Sequence, residues 1–102
     1  MKFIDIPFVP FEDFKMPPFT MCGIKANIAF ENGYNVSIIM TNMSYGGTKG
    51  LYEVMVTDQD DNSVWLEGIN NEDGVIGFLT PQQLESTLTA IEQAAPKEPT
   101  PP

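Results

Sequence analysis

Two stretches of strict alternation flank Glu31-Asn32-Gly33, and they constrain the fold more than any other feature of the chain. On one side Ile24, Ala26, Ile28 and Phe30 alternate with Lys25, Asn27 and Ala29; on the other Tyr34, Val36, Ile38 and Met40 alternate with Asn35, Ser37 and Thr41. A period of two marks strands with one buried face, so the segment is a β-hairpin. An Asn-Gly pair by itself suggests a two-residue type I′ loop. That loop would set Phe30 opposite Asn35 and mix apolar with polar side chains on each face. A three-residue loop pairs Phe30 with Tyr34 and Ile28 with Val36, keeps the apolar faces together, and needs Gly33 in the left-handed conformation. The three-residue loop is the expected one.

Downstream of the hairpin, 41–49 reads as a loop centred on Ser44-Tyr45-Gly46-Gly47. A third strand is expected over 51–57. Its apolar residues fall on both faces, Leu51 and Met55 against Tyr52, Val54 and Val56, as in a strand that is central or covered on its second face. Polar residues 58–62 form a turn, and 63–67 a fourth strand. After a polar loop over 68–74, the short apolar stretch 75–79 leads into a helix. The helix start carries Thr80 at the N-cap, Pro81 at N1 and Gln83 at N3, a capping box. Leu79 and Leu84 are placed for a hydrophobic staple. Leu84, Leu88, Ile91 and Ala95 make an apolar stripe that should cover one face of the sheet. Pro96 ends the helix, and 96–102 reads as a solvated polyproline-like tail.

The first twenty residues differ from the rest. They hold Phe3, Phe8, Phe11, Phe14 and Phe19, five of the seven Phe in the chain, and Pro7, Pro10, Pro17 and Pro18. Proline at that density blocks a continuous helix, and so many aromatics are too apolar for a solvated tail. An extended arm over 1–20 is expected, docking its Phe side chains on its own domain or on a neighbouring subunit, with room for one helical turn over 10–15. The fold class is therefore α+β: an antiparallel sheet of four to five strands, one C-terminal amphipathic helix, and an extended Phe/Pro-rich arm. The arm (1–20), one domain (21–95) and the tail (96–102) account for all 102 residues. The solitary Cys22 cannot form an internal disulfide, fits a reducing compartment, and is expected to be buried like most free cysteines.

Composition narrows the chemistry. All five basic residues are Lys, and there is no His or Arg. That removes Ser-His-Asp and Cys-His catalysis, imidazole metal ligands and bidentate phosphate clamps. Asp58-x-Asp60-x-Asn62 opens like an EF-hand loop, but Ser63 stands where Gly is needed and Ile69 where Glu is needed, so a hairpin turn is the reading. Gly46-Gly47-Thr48-Lys49-Gly50 lacks the spacing and following helix of a P-loop. The adjacent pairs Asp60-Asp61 and Glu72-Asp73 sit in polar loops where nothing would shift their pKa values for acid–base work. No catalytic residue, metal or cofactor is expected. No apolar run approaches the ~20 residues of a membrane span, and the N-terminus does not read as a signal peptide.

Charge is the positive signal. The formal net charge is −9, and over 51–95 the acids Glu53, Asp58, Asp60, Asp61, Glu67, Glu72, Asp73, Glu85 and Glu92 occur without one Lys. Such a surface is a poor direct binder of nucleic acid. It suits either solubility alone or a basic surface on another protein, including imitation of DNA phosphates. Glu53, Asp58, Asp60, Asp61, Glu67, Glu72 and Asp73 are the candidate partner-binding residues. Phe8, Phe11 and Phe14 of the arm are the candidates for docking on a partner or on another subunit in a homo-oligomer.

Taken together, Asn32-Gly33-Tyr34 with Ser37, Ser44-Tyr45-Gly46-Gly47, Gly50-Leu51-Tyr52-Glu53-Val54 with Asp58, and 73–81 (Asp-Gly-Val-Ile-Gly-Phe-Leu-Thr-Pro) resemble a group of small bacteriophage-encoded proteins of unknown role. The resemblance covers 32–91, outside the arm and the tail, and brings no catalytic residue with it. It implies a phage origin and a location in the host cytoplasm or the virion. The expected function is a non-enzymatic acidic protein that binds and modulates, by inhibition, a host macromolecule such as a polymerase, nuclease or defence complex. The alternative is a minor virion or assembly component docking through the arm.

Overall fold

The computed structural model describes residues 1–16 and 19–96, with the side chains of 11–21 left aside. Five strands, β1 (Val9–Met16), β2 (Phe19–Ala29), β3 (Asn35–Thr41), β4 (Tyr52–Thr57) and β5 (Val75–Leu79), form one antiparallel sheet in sequential order. Helix α1 (Pro81–Glu92) follows. The β2–β3 hairpin has the three-residue loop: Ile28 pairs with Val36, the Phe30 N–H donates to the Tyr34 carbonyl at 2.9 Å, and Gly33 has φ +94°.

The alternation places Ala26, Val36, Ile38, Tyr52, Val54 and Val56 on one buried face. Against it α1 lays Leu84, Leu88 and Ile91, none of which has measurable exposure. Ala95, the last residue of the expected stripe, is exposed, because the helix has already ended at Glu92. The helix start is as expected. The Gln83 N–H donates to Thr80 Oγ1 and the Thr80 N–H to Gln83 Oε1, completing the capping box, and Leu79 and Leu84 are both buried. The helix end is closed from the sheet: the Asn32 amide nitrogen lies 2.7 Å from the Ile91 carbonyl and 3.2 Å from those of Glu92 and Ala94. The Tyr34 hydroxyl donates to the Ala95 carbonyl at 2.9 Å.

The N-terminal residues lie beside α1 on the same face. Phe3–Asp5 form a 3-10 turn, the Phe3 N–H donates to Glu85 Oε2 at 2.8 Å, and the terminal ammonium is 4.0 Å from Glu92. Ile6 is buried in the core, and the rings of Phe3 and Phe8 each sit 5.5 Å from that of Tyr52. Residues 9–16 continue as the edge strand β1. Pro10 is tolerated there because an edge strand need not donate on both sides. Where a helical turn was expected, Glu12 and Asp13 together face Cys22, a β-bulge between the Phe11↔Gly23 and Phe14↔Met21 pairs.

Two further expectations need correction. The segment 63–67 is not a strand: it touches the sheet through a single bridge, Ser63 with Thr57, and the additional strands are β1 and β5. Cys22 is exposed, because β2 outruns β3, whose pairing with it starts at Gly23↔Thr41. The stretch 46–50 is a loop between β3 and β4, as expected, and contains one 3-10 turn, Gly47–Lys49. The tail beyond Pro96 lies outside the described residues.

Two measurements probe this architecture. Gly33→Val should lower stability by about 1–2 kcal/mol, since a β-branched residue resists positive φ; an unaltered urea midpoint would contradict the loop geometry. Burial holds the Tyr52 hydroxyl above its ordinary pKa of 10.0. An acid whose folded pKa is raised contributes stability that is complete below the unfolded pKa and is lost as pH rises through the folded one. An alkaline unfolding limb should therefore begin near pH 10 and move to higher pH in Tyr52→Phe, read by circular dichroism.

Candidate functional site

The polar excursion 58–74 leaves β4 and returns to β5 at the same end of the sheet as the β2–β3 loop and the end of α1. Asp58 builds its first turn. Its carboxylate oxygen Oδ1 accepts from the Asp60 N–H at 2.8 Å and the Asn62 N–H at 3.0 Å, its N–H donates to the Asn62 carbonyl, and the Asn35 amide donates to its carbonyl. Asp61 completes the turn at φ +62°, which short polar side chains tolerate. Asp58 is 4% exposed, so it orders the loop from inside and offers no charge to a partner. The calcium-like spacing Asp58-x-Asp60-x-Asn62 is this turn, and among the described residues no group of three acidic or thiol side chains is gathered to hold a metal ion.

Beyond the turn the chain passes Ser63, Val64, Trp65 and Leu66. Val64 and Leu66 pack toward the core while Trp65, the sole Trp, is 50% exposed. The buried Asn70 fixes this division. Its Oδ1 accepts from the Leu66 N–H at 2.8 Å and its Nδ2 donates to the Val64 carbonyl at 3.0 Å. One amide thus spans the backbone on both sides of Trp65 and holds the indole outward. A ladder partner would otherwise be needed for those two backbone groups, which is why a β-rich run stays outside the sheet.

Exposed acids surround this loop: Asp60, Asp61, Glu67, Glu72 and Asp73. Asp73 Oδ1 also accepts from the Val75 N–H at 3.0 Å, setting the start of β5. Glu53 stands apart. It lies on β4 opposite Ile39, half-buried on the sheet face away from α1, and its Oε1 accepts from the Tyr45 N–H at 3.1 Å. Of the seven acids expected on a partner-binding surface, the structure gathers five in this loop; Asp58 and Glu53 are structural. Of the docking candidates in the arm, Phe8 is half-buried against Phe3 and Tyr52, so it docks on its own domain. Phe11 and Phe14 belong to β1 by backbone, and their side chains lie outside the described residues.

A second exposed feature is aromatic. At β5 the register slips, so that Gly77 and Phe78 lie between the Val54↔Ile76 and Tyr52↔Leu79 pairs. Phe78 takes φ +58°, a conformation that costs a bulky residue roughly 1–2 kcal/mol. Phe78 is 56% exposed, and its ring stacks on that of Tyr45, a residue itself 61% exposed, with centroids 6.2 Å apart and planes inclined by 30°. A Cβ on Gly77 would stand 2.6 Å from that of Tyr45, so only glycine admits the pair. Neither Trp65 nor the Tyr45–Phe78 pair stands out in the sequence; the one hint is that Val64-Trp65-Leu66 is apolar on both faces.

Comparison with protein-family models, with curated proteins and with solved structures finds no match. Function therefore rests on the residues themselves. Asn70→Ala should cost about 1–3 kcal/mol by orphaning the Val64 carbonyl and Leu66 N–H. The urea midpoint should fall, and Trp65 emission should become more accessible to acrylamide; unchanged quenching would show that Asn70 does not hold the indole.

Proposed function

We propose that the protein is a non-enzymatic binding protein that docks the end of its sheet, Trp65 with the exposed Asp60, Asp61, Glu67, Glu72 and Asp73 of the same loop, onto a basic surface of a host macromolecule and thereby inhibits it. The observation that carries this reading is the Asn70 clamp. It keeps a large aromatic side chain half-exposed in a loop that carries five exposed acids, at an apolar cost that solubility does not explain. Tryptophan is the residue most enriched at energetic centres of interfaces, and a like-signed rim speeds encounter and weakens with salt. A chain without His or Arg is poorly equipped for catalysis and well suited to presenting shape and negative potential. The resemblance to small phage proteins supplies the context, a host cytoplasm holding polymerases, nucleases and defence complexes whose surfaces are basic because they handle nucleic acid.

One observation favours a second reading, a virion or assembly component. The pairs Phe14↔Met21, Lys15↔Thr20 and Met16↔Phe19 lie beyond the β2–β3 pairing and have no third strand. A lone two-stranded ribbon is marginal in water, so this tip is suited to docking on a neighbour. Presence of the protein in purified virions would favour this reading.

The immobilised protein should retain a defined host protein from lysate at low salt and release it as ionic strength passes ~0.15 M. Trp65→Ala and the triple variant Asp60→Lys/Asp61→Lys/Glu67→Lys should each abolish capture while keeping the native circular dichroism. No capture at low salt, or capture that survives both variants, would refute the proposal.

A further inference from the structure

The Tyr45–Phe78 pair meets the acidic end only at Asp73, and its construction is demanding: a register slip, a phenylalanine held at φ +58°, and a glycine that nothing else can replace. Beside the rings, a shallow groove of about 330 Å³ runs along β5, lined by Tyr45, Asn71, Asp73, Val75, Gly77 and Phe78. It opens on the sheet face that α1 leaves uncovered, where Met55 pairs with Val75. Exposed aromatic rings beside an apolar strand edge, with a carboxylate at one end, form the kind of surface on which a polyproline II segment lies. Such a segment has no internal hydrogen bonds, is stiff before it binds, and packs its prolines on rings.

The chain carries such a segment. Pro96-Lys97-Glu98-Pro99-Thr100-Pro101-Pro102 contains the spacing Pro-x-x-Pro twice, at 96–99 and 99–102, and one cation, Lys97, beside the first proline. Residues 97–102 lie outside the described structure, and they follow from a fixed point, the Ala95 carbonyl held by the Tyr34 hydroxyl. We infer that the groove at Tyr45 and Phe78 binds the segment 96–102 of a second copy of this chain, prolines on the two rings and Lys97 toward Asp73.

Reach decides between the same copy and another. Helix α1 starts three residues after Phe78 and runs away from it for twelve residues, about 18 Å at 1.5 Å per residue. A polyproline II segment over 96–102 spans ~19 Å at 3.1 Å per residue. That matches the return along the helix alone. It leaves nothing for crossing from Tyr34, which anchors the chain at the residue before β3, to β5, and nothing for turning round the sheet edge to its uncovered face. The tail of a second copy meets no such limit. A tail-into-groove contact joins two different surfaces, so reciprocal exchange closes it as a dimer, and one-way exchange extends it.

The test uses the full chain and a fluorescein-labelled synthetic peptide of residues 95–102. Anisotropy should show saturable binding, weakened at least tenfold in Tyr45→Ala and in Phe78→Gly and severalfold by a Lys97→Glu peptide. Phe78→Gly separates the site from the fold, because glycine adopts the positive φ freely and the melting temperature should hold or rise. Light scattering of the unlabelled protein should give a molar mass that climbs with concentration, and Pro99→Ala/Pro102→Ala should keep it monomeric. No saturable binding, binding that both ring variants retain, or a monomeric mass at every concentration would overturn the inference.

Discussion

One amide group, that of Asn32, ties the helix to the register of the sheet. A helix leaves its last four carbonyls without internal partners. Here no glycine follows to wrap the chain back, and no cation occupies the last turn. The Asn32 side chain faces two of those carbonyls instead, at Ile91 and Glu92, and that of Ala94 just beyond the helix. It can do so only because the loop over 31–33 has three residues, which sets Phe30 and Tyr34 across from each other and turns the apolar side chains of β2 and β3 toward Leu84, Leu88 and Ile91. A two-residue loop would rotate one strand by a residue and send Val36 and Ile38 to solvent. Loop length, strand register and helix closure are one constraint seen at three places.

That coupling explains which parts of the fold are legible in the amino-acid sequence. The hairpin, β4 and the helix start are written in local terms: alternation at period two, Gly33 at a positive φ, and a capping box at 80–83. Each agrees with its neighbours, so each appears where expected. The strand β1 is not written locally. Its prolines argue against regular structure, and its place at the edge, with Glu12 and Asp13 bulged opposite Cys22, depends on β2 being longer than β3. The same excess length exposes Cys22. The run 63–67 fails in the opposite sense: it has the side chains of a strand, but Asn70 takes up the Val64 carbonyl and the Leu66 N–H, and contact with the sheet stops at the Ser63↔Thr57 bridge and the Val64 N–H donating to the Val56 carbonyl. A partner several residues downstream on a loop leaves no periodic trace.

The surface divides along similar lines. Acids without compensating Lys are visible by counting, but counting cannot separate those that build from those that present. Asp58 and Glu53 are drawn inward because backbone N–H groups converge on them, at Asp60 and Asn62 in one case and at Tyr45 in the other. The exposed aromatics were hidden for a plainer reason. Phe78 lies in an apolar stretch that reads as core, and only the slip in the β4–β5 register turns its ring outward onto Tyr45. An aromatic residue at positive φ is a small local defect in stability, and it is found where two rings meet at the surface.

The placement of the remaining acids runs against stability in a second way. The carbonyl end of α1 carries the negative pole of the helix, roughly half an elementary charge, and favours cations nearby. Yet Glu92 sits in the last turn. The loop bearing Gly33 brings this pole beside the 58–62 turn, where the Gln59 amide comes within 3.5 Å of the Gly33 Cβ position. Asp60, Asp61, Glu67, Glu72 and Asp73 therefore add to a potential that is already negative. The one nearby cation among the described ion pairs is the terminal ammonium, 4.0 Å from Glu92. Selection for stability alone would place lysine in that turn, and none of the five lysines, at 2, 15, 25, 49 and 97, occupies it. A fold that concentrates like charge on a helix's negative pole, and holds its only Trp outward in the same loop, has the features that the proposed docking on a basic surface requires.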